Sequence, residues 1–199
     1  ASGIVGYGIL RSLLQNTDNY KLIGASIYDL SIAPAFCDIF EKAMPTNHPN
    51  YIEWLIEIIR KHSIDMIIPG IECDMFSWNK NRETLLSTGV FPLLNNGKLI
   101  EMCGDKWMFY NELILDNYKY AIPTSLDGKF NTFPKPFLLK PRRGYGSKGI
   151  IKVINERDFD KYKHNIGKDL IMQPVVGSNE EEYTVSGFFD NSSRLIDYI

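Results

Sequence analysis

The chain has 199 residues, 44% of them apolar and 23% charged, with a net charge of −2. That is the composition of a soluble globular protein with room for one large domain or two small ones, and it provides no global field that would favour nucleic acid or an anionic membrane. Any basic function must therefore be local. No apolar run approaches the roughly 18 residues of a membrane span, and no signal peptide is visible. Cys37, Cys73 and Cys103 are odd in number, far apart and without a CxxC pair, which argues against a disulfide framework or a zinc site and fits a reducing cytoplasm. His48, His62 and His164 are scattered without ligand spacing and read as surface or packing residues. No metal site is expected among these residues.

From the N-terminus, Gly3, Gly6 and Gly8 form a glycine turn, and the apolar spacing over residues 4–14 predicts a helix packed on a sheet. Residues 21–27 predict a short buried strand with Asp29 just past its end. Residues 51–62 predict an amphipathic helix with Ile52, Leu55, Ile56 and Ile59 on one face, started by Pro49. A buried strand over 65–69, a helix over 75–86 and a strand over 90–94 complete an alternation that indicates a doubly wound parallel sheet. Asn95-Asn96-Gly97 is a turn signal. After it a helix is expected over 105–115 and another near 156–163. Strands are expected over 137–141, 150–153, 170–175, 183–189 and 195–199. The expected division is an α/β domain over 1–95 and an α+β domain over 96–199. The chain starts at Ala1-Ser-Gly rather than Met and stops at Ile199 inside an apolar segment, so it reads as cut at both ends.

The most informative stretch is Pro136-Phe-Leu-Leu-Lys-Pro-Arg-Arg-Gly-Tyr-Gly-Ser-Lys-Gly-Ile-Ile-Lys-Val153. An apolar strand ends in Lys140, a basic glycine loop follows, and a second strand begins. Gly144, Gly146 and Gly149 lack the Cβ atoms that would block close backbone approach. The N–H groups of such a loop can converge on phosphate oxygens, with Lys140, Arg142, Arg143 and Lys148 adding positive charge. A P-loop does not fit, because GxxxxGK[ST] before a helix is absent. The plainer reading is a solvated basic hairpin.

Three further features share its order. Lys106 follows Gly104-Asp105 at a helix start, where the dipole is already positive and an anion would relieve the repulsion. Asp169-Leu-Ile-Met-Gln-Pro-Val-Val-Gly177 is a strand running into an extended hinge, whose backbone groups can read the edge of a base. Glu180-Glu-Glu182 follows; Glu182 could accept bonds from ribose hydroxyls, or the segment is a solvated acidic turn.

Together, GDK at 104–106, LLKPRRGYGSKGI at 138–150 and QPVVG with EEYTV at 173–185 resemble the ATP-grasp superfamily, in the branch of the carbamoyl phosphate synthase large subunit and biotin carboxylase. The resemblance implies a pre-ATP-grasp Rossmann-like domain over residues 1–95, followed by the first part of an ATP-grasp domain. It implies that Lys106 and Lys140 hold ATP phosphates, with Lys140 also near the adenine ring. The loop of Arg143, Gly144, Gly146, Ser147, Lys148 and Gly149 would close over the β and γ phosphates and be mobile without nucleotide. Gln173, Pro174 and Val176 would line the adenine edge, the last two through backbone groups, and Glu182 would bind ribose. The implied activity is that of a carboxylate–amine or carbamoyl phosphate synthase-like ligase using ATP and Mg²⁺, with an acyl phosphate intermediate and small-molecule carboxylate and amine or ammonia substrates.

Two departures qualify this. Family members place their Mg²⁺ ligands downstream of the ribose glutamate, beyond Ile199, so the fragment alone is not expected to complete the reaction and no catalytic residue is named. The hinge position commonly held by Glu is Gln173 here. Two rival readings remain: an NAD(P)-binding Rossmann oxidoreductase or epimerase built on Gly3, Gly6, Gly8 and Asp29, and a non-catalytic nucleotide-binding subunit of a split ligase. A homo-oligomer or a partner subunit is compatible with either. Glu72 and Asp74, after the strand at 65–69, could hold an amine-bearing substrate or simply favour a helix start.

Overall fold

The computed structural model describes residues 3–15, 20–144, 146–178, 180, 182–190 and 192–199. Ser2, Tyr145 and Glu181, which belong to motifs quoted above, lie outside the described residues. The protein is mixed α/β and divides into two compact units, Ala1–Asp105 and Lys106–Ile199. No helix among the described residues is long and apolar enough to cross a membrane.

In the first unit, α1 (Ile4–Leu13) precedes β1 (Ile23–Ser26), which pairs in parallel with β2 (Ile39–Lys42). The crossover between them carries a 3-10 turn at Ala33–Ala35. Next come α2 (Tyr51–His62), β3 (Met66–Ile67), α3 (Glu72–Lys80), α4 (Arg82–Leu86) and β4 (Phe91–Pro92), the last pairing in parallel with β3. α5 (Gly97–Cys103) closes the unit. Parallel neighbours need such crossovers, because a tight turn can only join antiparallel strands.

α2 buries Tyr51, Leu55, Ile58 and Ile59, a stripe at helical spacing. The stripe is rotated slightly from the predicted one: Ile52 and Ile56 pack at its margin rather than its centre. Ser63 ends the helix in a left-handed conformation, φ 50°, with its N–H returned to Arg60 and Ile59 carbonyls. The core adds Ile67, Trp78, Leu85 and Val90. The predicted helix over 75–86 is instead two helices, broken at Asn81, whose side chain donates back to the Ser77 carbonyl at 2.8 Å. This competition with the helix ladder is characteristic of asparagine.

Glycine does structural work near the N-terminus. A Cβ built on Gly70 would lie 3.3 Å from the Gly6 Cα, so α1 and the loop after β3 meet backbone to backbone.

A buried polar chain ties α2 to α3. Trp78 Nε1 donates to the Tyr51 hydroxyl at 3.0 Å, and that hydroxyl donates to Asp74 Oδ1 at 2.8 Å. The Thr46 hydroxyl donates to the same oxygen. Burial, with the nearby Asp74 charge, pushes the Tyr51 phenol well above its ordinary range, so it stays a donor.

In the second unit, α6 (Lys106–Leu115) leads through an irregular segment to β5 (Phe137–Pro141) and β6 (Ile151–Val153). α7 (Glu156–Asp160), a 3-10 turn at Lys163–Asn165 and β7 (Leu170–Pro174) follow. The sheet order is β6–β5–β7, all antiparallel. Ser125 bridges Met172 through two backbone bonds, 2.9 and 3.0 Å, on the free edge of β7. β8 (Gly187–Phe189) and β9 (Leu195–Tyr198) form a separate hairpin with every residue exposed.

Strand alternation gives this sheet two faces. Phe137, Leu139, Val153, Leu170 and Met172 point to one face, where Phe159 of α7 completes the core. Lys140, Leu138 and Gln173 belong to the other face by register, since Leu138 opposes Gln173 and Lys140 opposes Ile171. Phe137 is fully buried and its ring meets Phe159 edge-on at 5.8 Å. Replacing it with alanine should cost about 3–5 kcal/mol in urea denaturation. Tyr51→Phe should cost about 1–3 kcal/mol, because Trp78 and Asp74 both lose a partner in a buried site.

Candidate functional site: the lysine-lined loop cavity

β5 delivers Lys140 to the face of the sheet opposite the core, one residue before the chain leaves the sheet. The residue is half-buried, and its ammonium makes no hydrogen bond or ion pair among the described residues. A lysine that reaches out of a strand without a partner presents an unneutralised charge beside the loop. The loop is anchored at its start. Arg142 N–H donates to the Asp169 carbonyl at 2.7 Å, and the Arg142 carbonyl accepts from Lys106 N–H at 3.0 Å. The first residue of α6 is therefore fixed to the end of β5, which brings Lys106 and Lys140 to one place. Lys106 Nζ donates to the Gly144 carbonyl at 2.9 Å.

The loop itself turns through left-handed backbone. Gly144, Gly146 and Gly149 have φ of 146°, 63° and 74°, and Ser147 has 54°. A Cβ on Gly149 would come within 3.0 Å of the Pro141 ring. Glycine is required there on both counts. Lys106, Lys140, Pro141, Gly144, Gly146, Ser147, Lys148 and Ile150 enclose a cavity of about 160 Å³. This is too small for a whole nucleotide and suited to an anionic group such as a phosphate, with three lysines and loop amides around it. Arg143 and Gly149 lie in the same loop and flank the cavity without lining it.

Gln173 and Pro174 end β7; Gln173 opposes Leu138, two positions from Lys140 on the same face, whereas Pro174 opposes Phe137 on the core face. The Gln173 amide donates to the Thr124 hydroxyl at 2.9 Å. Thr124 is buried, and the sequence reading did not single it out; its partner is 49 residues away and no local pattern marks it. Val176 is exposed, and Gly177 follows with φ 72°. Glu182 is exposed and makes no hydrogen bond or ion pair among the described residues. Val176 and Glu182 do not line the cavity.

A larger cleft of about 340 Å³ lies in the first unit around Asn79, Arg82, Gly97 and Glu101. Its polar groups serve one another: Arg82 donates to Asn79 Oδ1 and to the Asn95 carbonyl, and Asn79 donates to Gly97. Asp74 is likewise committed, to Thr46 and Tyr51, and with Glu72 it occupies the first turn of α3. The helix-start reading therefore accounts for both acids. Among the described residues no group of three or more His, Cys, Asp or Glu side chains is placed to hold a metal ion.

Residues 103–196 match the ATP-grasp domain family. No protein of curated function matches the chain in sequence. Among solved structures, N5-carboxyaminoimidazole synthetase from Staphylococcus aureus superposes with a TM-score of 0.70 at 16% identity, over 98% of this chain and 50% of that one. Biotin carboxylase from Campylobacter jejuni gives 0.67 at 17% identity, over 89% and 44%. The biotin carboxylase domain of Hydrogenobacter thermophilus 2-oxoglutarate carboxylase, solved with MgADP, ADP and bicarbonate, gives 0.66 at 16% identity, over 88% and 43%. The chain thus spans half or less of the length of these structures. Residues 103–196 thus match the ATP-grasp domain family, and the chain shares the fold of biotin carboxylase and N5-carboxyaminoimidazole synthetase over part of their length.

Proposed function

We propose that this chain binds Mg-ATP and belongs to an ATP-dependent carboxylate–amine ligase, with a pre-ATP-grasp Rossmann-like domain in its first unit. The observation that carries the reading is the cavity shared by Lys106, Lys140 and Lys148 beneath a loop of left-handed glycines. The fit to a triphosphate is chemical: three ammonium groups, turn amides, and no carboxylate in the lining.

When bound, Mg-ATP would supply the phosphoryl group that activates a carboxylate as an acyl phosphate, from whose carbonyl carbon an amine or ammonia would then displace phosphate. The chain's own residues supply position and charge. Lys106 and Lys140 hold phosphate oxygens, and their charges offset the negative charge that grows there during transfer. The loop from Arg143 to Gly149 covers the phosphates and excludes water. Gln173, with the backbone of Pro174 and Val176, lines the adenine edge, and Glu182 accepts from ribose. The carboxylate and nucleophile are small molecules. The sequence composition fits a cytoplasmic protein, alone, as a homo-oligomer or with a partner subunit.

Isothermal titration of the full-length protein with Mg-ATP, with NADPH in parallel, tests this. ATP should bind and NADPH should not; NADPH alone would move function to the N-terminal glycines of the first unit, where Gly6 and Gly8 lie within α1 rather than in the expected turn. Lys140→Ala should weaken Mg-ATP about 10- to 100-fold, the scale of a charge-assisted hydrogen bond. His164→Ala, on an exposed 3-10 turn, should leave binding unchanged. Equal affinity in the Lys140 variant would sink the site assignment.

A further inference from the structure

Thr124 and Gln173 form a hydrogen-bond chain with a fixed direction. A threonine hydroxyl has one proton to give and lone pairs to receive. The Thr124 hydroxyl is 3.0 Å from the Ile122 carbonyl, which can only accept, so the proton goes there. The Thr124 oxygen can then only accept from Gln173, 2.9 Å away. The amide must therefore turn its NH₂ toward Thr124. Its carbonyl oxygen, Oε1, is left facing away as an acceptor, and it makes no hydrogen bond among the described residues.

The backbone holds this arrangement in register. Ser125 and Met172 exchange both backbone bonds, so Thr124 and Gln173 are opposed one step further along. Both fall on the Lys140 face of the sheet, away from the Phe137–Leu139–Met172 core. Thr124 is only 7% exposed, which shields the hydroxyl from competing water.

We propose that Thr124 is a positioning residue that makes Gln173 Oε1 an acceptor for the exocyclic amino group of adenine, and so selects a 6-amino purine over a 6-oxo purine. This rests on the proposed placement of the adenine edge at Gln173. A 6-oxo purine presents an acceptor where adenine presents a donor, and two acceptors facing each other are both left unpaired. If Gln173 were free to rotate, it could offer its NH₂ instead and serve either base. Thr124 removes that option.

The test is the ratio of ATP to ITP affinity, measured by titration of the full-length protein in the presence of Mg²⁺. The wild type should favour ATP by about tenfold, the scale of one neutral hydrogen bond lost with its partner left unpaired. Thr124→Val, of nearly the same shape but without the hydroxyl, should bring the ratio to within about twofold, mainly by gaining ITP affinity as the amide turns. Thr124→Ser keeps the hydroxyl and should keep the wild-type ratio, which separates the role of the proton from packing of the methyl group. ATP binding with the same ratio in wild type and Thr124→Val overturns this proposal and leaves the nucleotide site standing. Absence of Mg-ATP binding in the wild type overturns both.

Discussion

The antiparallel ladder between β5 and β7 is the constraint on which the second unit depends. Five residue pairs, Phe137–Pro174 to Pro141–Leu170, fix which side chains face the core and which face the loop cavity. Because neighbours alternate, the same five residues that bury Phe137 and Leu139 also lift Lys140 to the opposite side. Stability of the core and placement of charge are two readings of one register. A slip of one residue would exchange Leu139 and Lys140 between faces, costing the packed core and the lysine site together.

The loop after β5 inherits its position from that ladder. Arg142 is paired through its backbone to Asp169 on one side and to Lys106 on the other, so the start of α6 is tied to the end of β5. The lysine of α6 then reaches the loop carbonyl of Gly144. Positive charges would normally repel and disperse. Here backbone hydrogen bonds, which do not depend on charge, hold their carriers in place.

Much of this was legible in the sequence because it is local. The strand over 137–141 is visible in its apolar run and its end at proline and arginine, and the helix over 51–62 in its periodicity. The glycines of the loop announce left-handed backbone, and three of them adopt it. What was not legible depends on partners elsewhere. β2 was not foreseen because Ile39–Lys42 is short and buries neither face fully. α5 was not foreseen, since Asn95-Asn96-Gly97 has turn chemistry; Asn96 caps the helix, accepting from Lys98 and Leu99 N–H. The break at Asn81 and the Thr124–Gln173 pair each rest on one side-chain hydrogen bond, which leaves no trace in spacing or hydropathy.

The close approach of Gly6 to Gly70 gives the N-terminal glycines a meaning apart from any ligand. With 3.3 Å between a Cβ built on Gly70 and the Gly6 Cα, the contact is tighter than side chains normally make. Gly70 cannot gain a side chain unless the helix or the loop gives way by a few tenths of an ångström. A side chain acquired at position 70 would therefore press on the backbone of α1 at Gly6, and relief would have to come as backbone displacement. A glycine-rich beginning that looks like a phosphate turn can be required by packing alone.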